Sequence, residues 1–216
     1  MSDTQSNRKT KQPGTSGERK QKEKAKFPLK LARGLATKIV EFLEPHTERI
    51  LIAGSIRREK PLVGDIEILY IPKWQDVPDP NDLFGESKPI KVECVDEALK
   101  DKFEAGILAR RENCGWGEKN KHAVHVPTGI PIDFFATDIL CWHNYLVCRT
   151  GPGESNVNIA SLAKKKGWRW QPYGRGFVAL DRMGQPDEKE GFHPVSSEAA
   201  VFSFVGLECP APKDRR

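Results

Sequence analysis

A chain of 216 residues, 38% hydrophobic and 30% charged, is long enough for one domain with a small lobe and too polar to be built for a bilayer. No apolar run approaches the roughly 18 residues of a membrane span, and the opening residues lack the apolar stretch of a secretory leader. Five cysteines, an odd number with no Cys-x-x-Cys pair, point to a soluble protein of a reducing, intracellular compartment rather than to a disulfide framework. The net charge of +5 resides wholly in residues 1–26, with eight Lys/Arg against three Asp/Glu. The remainder holds 27 of each sign, which excludes binding by bulk charge in the manner of a histone.

Residues 1–26 contain almost nothing to bury and read as a disordered basic arm, suited to phosphate attraction or to nuclear import. After Pro28, the spacing of Leu31, Leu35, Ile39 and Phe42 predicts a helix that Pro45 stops. Residues 49–53 and 65–71 read as strands, and the proline-rich stretch 72–90 as a long loop. Val92, Val95, Leu99, Phe103 and Ile107 trace a second helix, and 121–126 and 130–136 form two more strands around a turn at Pro127–Gly129. From about residue 149 the pattern changes: a helix over 153–166, short strands over 168–180, and a helix near 196–204. The expected fold class is α+β, a mixed sheet flanked by helices, with a small C-terminal α+β lobe. The expected division is a tail over 1–26, a palm-like domain over 27–148 and the lobe over 149–216.

The chemistry concentrates in residues 53–68, AGSIRREKPLVGDIEI. Gly54-Ser55 closes a strand and opens a helix, which leaves backbone N–H groups free for phosphate oxygens, and Arg57 and Arg58 add charge there. Asp65 and Glu67 occupy alternate positions of a strand, so both carboxylates project from one face. Like charges held that close call for a cation between them, and hard Mg²⁺ suits such oxygens together with substrate phosphates. Asp133, set among Ile132, Phe134 and Phe135, is the best third carboxylate; Asp138 is its rival.

These residues carry a resemblance. GSIRREKPLVGDIEIL resembles the nucleotidyltransferase signature, and the double arginine with the glycine before the first acid narrows it to the family X DNA polymerases. PIDFFATD is similar to that family's third-aspartate strand, LVCRTGPGESNVNIASLAKKKGWRW to its nucleotide-contacting segment, and VFSFVGLECPAPKDRR to its C-terminal helix and ending. The resemblance spans about 26–216 and implies a palm followed by a nucleotide-selecting lobe. It implies that Asp65, Glu67 and Asp133 are catalytic and bind two Mg²⁺ ions, for which Mn²⁺ can substitute. It further implies nucleotide contacts from Gly54, Ser55, Arg58, Gly64, Arg149, Gly151 and Asn156, with Lys26 near the triphosphate. The expected activity is addition of dNMP from dNTP to a primer 3′-hydroxyl on primer-template, gapped or nicked DNA, by a monomer, in gap filling or end joining.

Several positions depart from the family pattern. Glu67 stands where an aspartate is usual, Pro131 and Phe135 where basic residues are common, Cys148-Arg149 where an aromatic pair meets the nucleotide sugar, and Ala160 where a basic residue nears the template. The family's lyase domain has no counterpart in these residues. Lys164, Lys165 and Lys166 are assigned to DNA, and at least one of Trp168 and Trp170 to the interior. His122 and His125 are read as structural, and Cys141, His143 and Cys148 lack the spacing of a four-ligand zinc site. Two alternatives remain open: a template-independent terminal transferase and a catalytically silent DNA-end-binding scaffold.

Overall fold

A computed structural model describes residues 25–82 and 88–215, so all but the last two residues of the basic arm lie outside the described residues. Strand β1 (Phe27–Pro28) enters helix α1 (Leu29–Leu43), where Pro28 precedes the first turn at no hydrogen-bond cost. Ala32, Ala36 and Leu43 form the fully buried stripe of α1, whereas Leu31 is 47% exposed. The apolar face is therefore rotated by about one residue from the leucine spacing, because two alanines let the helix approach the sheet closely. Strand β2 (Thr47–Ile52), the single turn α2 (Gly54–Arg57), β3 (Leu62–Val63) and β4 (Ile66–Pro72) follow, and β3 pairs with β1.

The expected loop over 72–90 is corrected at its described ends. β5 (Trp74–Val77) pairs antiparallel with β6 (Ile90–Glu93), which takes Val92 from the predicted helix; that helix, α3, spans Cys94–Glu104. Short β7 (Leu108–Arg110), unforeseen, pairs with β8 (Asn120–His125), which leads by a tight turn into β9 (Ile130–Ala136). The central sheet has the order β2-β4-β9-β8-β7, with β4 and β9 parallel and the other neighbours antiparallel.

Alternation along β4 and β9 divides the two faces. Ile66, Ile68, Ile132 and Phe134 share a core with α1 and α3, while Leu69, Ile71 and Phe135 pack against Trp142, Tyr145 and Leu146. Those three belong to α4 (Trp142–Thr150), a helix the sequence reading lacks. Trp142, Asn144, Tyr145, Leu146 and Val147 are all buried, so α4 has little of the polar stripe from which amphipathic periodicity is recognised. The expected domain boundary at 148/149 falls inside this helix. Beyond it, α5 (Gly153–Lys165), the antiparallel sheet β10 (Trp168–Trp170), β11 (Gly176–Ala179) and β12 (Phe192–Pro194), and α6 (Glu198–Phe204) build a second core around Ile159, Trp170, Phe177 and Phe202. The molecule is a mixed α+β fold, as expected. Among the described residues no helix is long and apolar enough to cross a membrane.

Candidate active site

Gly54 opens α2 just after β2, at φ +63°, and a Cβ there would overlap the Glu67 side chain. Only glycine lets the turn and the acid occupy the same corner. Glu67 sits opposite Asp133 in the parallel β4–β9 register, on the sheet face that meets α4, and Asp65 precedes β4 directly. Burial pushes the Glu67 carboxyl up to about 7, the charges of Asp65 and Asp133 push the same way, and Arg149 and Arg58 oppose them. Three carboxylates thus share one electrostatic corner. Asp138, the rival third acid, instead accepts the Leu140 and Cys141 backbone N–H groups at 2.8 and 2.9 Å in the turn before α4.

The Asp133 carboxylate is held by two residues that sequence reasoning did not place there. Arg111 Nη1 lies 3.1 Å and His122 Nδ1 2.8 Å from its Oδ1. His122 faces Asp133 across the β8–β9 pair, so the structure moves it from a purely structural role to the acidic corner. His125 keeps a local partner, Thr128 Oγ1 at 2.8 Å. Given that β8 and β9 form a hairpin, counting back from the turn aligns His122 with Asp133; for Arg111, on a separate loop, there was no signal.

Around this corner polar atoms are left over. The side-chain atoms Ser55 Oγ, Arg58 Nε, Arg149 Nε and Asn156 Oδ1 are buried without a hydrogen-bond partner among the described residues. Arg58 donates from Nη1 to the Thr150 carbonyl, and burial lowers its pKa against the pull of Glu67, Glu154 and Asp65. Gly151 turns at φ +60°, and a Cβ would come within 3.2 Å of that same Nη1. Asn156 donates from Nδ2 to the Cys148 carbonyl at 2.8 Å. The Arg149 guanidinium lies 3.5 Å over the Phe135 ring and 5.0 Å from Tyr173, with Nη2 donating to Asn120 Oδ1 at 3.4 Å. Cation and ring at these two departures from the family pattern thus meet each other. Lys26 Nζ lies 3.4 Å from where a Cβ on Gly64 would stand, which brings the arm's last residue to this loop. The structure therefore collects Gly54, Ser55, Arg58, Gly64, Asp65, Glu67, Asp133, Arg149, Gly151 and Asn156 around one region.

Lys164, Lys165 and Lys166 do not join it. They close α5, about 12 Å along the helix from Asn156, and Lys166 donates to the Phe204 carbonyl at 2.7 Å. Trp170 is 6% exposed and donates to Asn144 Oδ1 at 3.0 Å, so it is an interior residue.

A second charged group, absent from the sequence reading, ties α2 to α6 and to the C-terminal residues. Arg57 grips Glu198 with two hydrogen bonds of 2.6 and 2.9 Å and donates to Thr150 Oγ1 at 2.6 Å. Arg215, 2% exposed, adds a bond of 2.7 Å to the same carboxylate. Burial raises the Glu198 pKa, but the hydrogen bonds from Arg57 and Arg215 outweigh it and hold the group below the usual carboxylate range.

The three carboxylates suit divalent cations by chemistry: hard oxygen donors, mutually repelling, in a corner that also presents unpartnered phosphate-type donors on Ser55 and Arg58. They do not form a ready cage. Among the described residues no three acidic, histidine or cysteine side chains converge as metal ligands, since Asp133 is engaged by Arg111 and His122. The fit lies in charge and donor type, and ligation requires the Asp133 carboxylate to share or exchange those partners.

Residues 145–216 match the DNA polymerase beta thumb family. Two solved structures share the fold. The ternary P/T complex of Leishmania infantum polymerase beta has 17% identity and a TM-score of 0.65, over 89% of this chain and 77% of that one. The ternary gap complex of the same protein has 16% identity and a TM-score of 0.65, over 88% and 71%. No curated protein matches the chain. Residues 145–216 thus carry the DNA polymerase beta thumb match, and the chain has the fold of those two structures.

Proposed function

We propose that this protein is a nucleotidyltransferase that adds dNMP from a dNTP to a DNA primer 3′-hydroxyl, acting as a monomer in gap filling or end joining. The observation that carries the reading is the coincidence of four orphaned buried polar atoms, on Ser55, Arg58, Arg149 and Asn156, with three coupled carboxylates. Buried polar groups are seldom left unpaired unless a ligand completes them. The leftover atoms are of the kinds that a triphosphate and a base edge would satisfy.

Asp65, Glu67 and Asp133 would hold two Mg²⁺ ions, or Mn²⁺ in their place, and those ions supply charge neutralisation and a nucleophile activated at neutral pH. The chain's own residues do the rest. Ser55 and the Gly54 turn present donors to the phosphates, Arg58 releases the Thr150 carbonyl to reach them, and Gly64 with Lys26 borders the same loop. Asp133 accepts the proton of the primer hydroxyl, while Arg111 and His122 keep its carboxylate oriented toward β8. Asn156 offers Oδ1 to the incoming base, and Gly151 allows the turn that sets it there. Residues 27–148 would form the palm and 149–216 the nucleotide-selecting lobe, with Lys164–Lys166 on the DNA backbone away from the reaction.

Primer extension on a one-nucleotide gap, with Mg²⁺ and with or without the template strand, tests this. Extension that needs the template and falls at least about a thousandfold in Asp133→Ala is the expected result. Extension indifferent to template would make the protein a terminal transferase, and no extension on any end would leave the scaffold reading.

A further inference from the structure

Two donors share one oxygen of Asp133. Arg111 Nη1 stands 3.1 Å from Oδ1 and His122 Nδ1 2.8 Å, with the Asp133 side chain 13% exposed and that of Arg111 30%. A charge pair this shielded is stronger than one in open water. The field of Arg111 reaches further than Asp133. Burial alone would lower its pKa, but the Cys114 contact and the charges of Asp133 and Asp65 outweigh burial and raise it. One guanidinium therefore acts on two of the three carboxylates of the corner.

The two donors are held differently. His122 is fixed in the sheet, opposite Asp133 in the β8–β9 register and edge-on to Phe135 at 6.5 Å. Arg111 stands just past the end of β7, in the segment leading to β8. The backbone there closes without its side chain: the Arg111 N–H donates to the His122 carbonyl at 3.1 Å, and the Arg111 carbonyl accepts from the Cys114 N–H at 3.3 Å. Nε has an acceptor of its own in the same segment, Cys114 Sγ at 3.2 Å. The guanidinium can thus loosen from Oδ1 without unmaking the segment. What keeps it there is the charge on Asp133.

That separates an electrostatic role from a structural one. Three carboxylates at one corner attract a divalent cation through the negative charge they present together. Among the described residues they do not converge as a ligand set, and Asp133 is the acid with a cation already on it. A divalent cation arriving at Asp133 has to share Oδ1 with a positive charge or displace it.

We propose that Arg111 is a built-in counter-ion that sets how weakly the acidic corner holds a divalent cation. It is a positioning residue, acting through Asp133 rather than on the reacting atoms. The inference rests on Asp65, Glu67 and Asp133 being metal ligands, and it adds that a residue outside that set governs their affinity.

The test is a titration of Mn²⁺ into the full-length protein, free of DNA and nucleotide, with free Mn²⁺ read from its EPR signal. Arg111→Gln should bind Mn²⁺ about tenfold more tightly than the wild type, the effect of removing one unit charge a few ångströms from the cation. Arg111→Lys, which keeps the charge, should stay within about threefold of the wild type. So should Arg110→Gln, which removes a neighbouring exposed arginine stacked on Trp116 at 5.2 Å. In an Asp133→Asn background Arg111→Gln should change nothing, because the two residues act as a pair. Equal or weaker binding in Arg111→Gln overturns the proposal, and so does a gain that persists in the Asp133→Asn background. In those cases the metal reading still stands if Asp133→Asn alone abolishes binding. Absence of Mn²⁺ binding up to about 5 mM in both the wild type and Arg111→Gln overturns the metal reading and the proposal together.

Discussion

Arg57 and Arg58 are neighbours in sequence and have opposite fates. Arg57 is spent: three hydrogen bonds tie it to Glu198 and Thr150, and Arg215 completes the joint, with only its Nη1 left over. Arg58 is half used, with one nitrogen on a backbone carbonyl, another buried and bare, and a pKa lowered by burial. The same contrast separates the carboxylates. Glu198 is held below its usual range by partners, whereas Glu67 is raised to about 7 by burial and by like charges. A polar cluster satisfied from within acts as structure, while one left unsatisfied stores free energy that a ligand can recover.

The sharpest way to break this comparison is to remove the partner from the satisfied cluster. Glu198→Ala leaves Arg57 and buried Arg215 facing each other without a carboxylate, and should cost about 3–5 kcal/mol in denaturant unfolding. A loss below about 1 kcal/mol would mean that the joint contributes nothing net and that α2 and α6 are held together by apolar packing alone.

Removing a charge from the unsatisfied cluster should do the reverse. In the metal-free protein Glu67 has a folded pKa of about 7 against an ordinary 4.5, so the folded state binds its proton more tightly. The associated stability is fully present below pH 4.5 and is lost as pH rises through 7, by at most about 3 kcal/mol. Glu67→Gln should flatten that part of the thermal-stability profile and be the more stable protein at pH 8, even as it loses activity. A wild-type profile already flat between pH 4.5 and 8 would show that the corner is not frustrated.

The smallest effect is expected at Arg149, which belongs partly to each kind. Its guanidinium is stacked on Phe135, but Nε is unpartnered and its charge opposes the rise of Glu67. Arg149→Met should raise the nucleotide KM about tenfold, one charged hydrogen bond's worth, with little change in unfolding free energy. A change in stability without a change in KM would place Arg149 with Arg57 as a structural residue.

The acid spacing Asp65-x-Glu67, the glycine-serine turn and the β-rich run around Asp133 were legible in the sequence because each is local. Two residues along one strand share a face whatever else the chain does, and a glycine needed at positive φ marks its own turn. The order of most elements was legible for the same reason. Other features were not. The hairpin of β5 and β6 was hidden by its prolines, and α4 by burial on nearly all sides, which removes the alternation that periodicity detects. The Arg111 contact to Asp133 and the Glu198 joint were hidden by distance along the chain: Arg57 and Glu198 are separated by 141 positions, and no local pattern specifies that pairing.

By itself, then, the sequence determined which side chains carry charge and which strands present them, since propensity and alternation act over a few residues. Only the tertiary structure decided which charges are answered. That depends on where β8 lays His122 and on how α6 and the C-terminal residues close over α2, and pairing at that range is set by the packing of whole elements rather than by any neighbour in the chain.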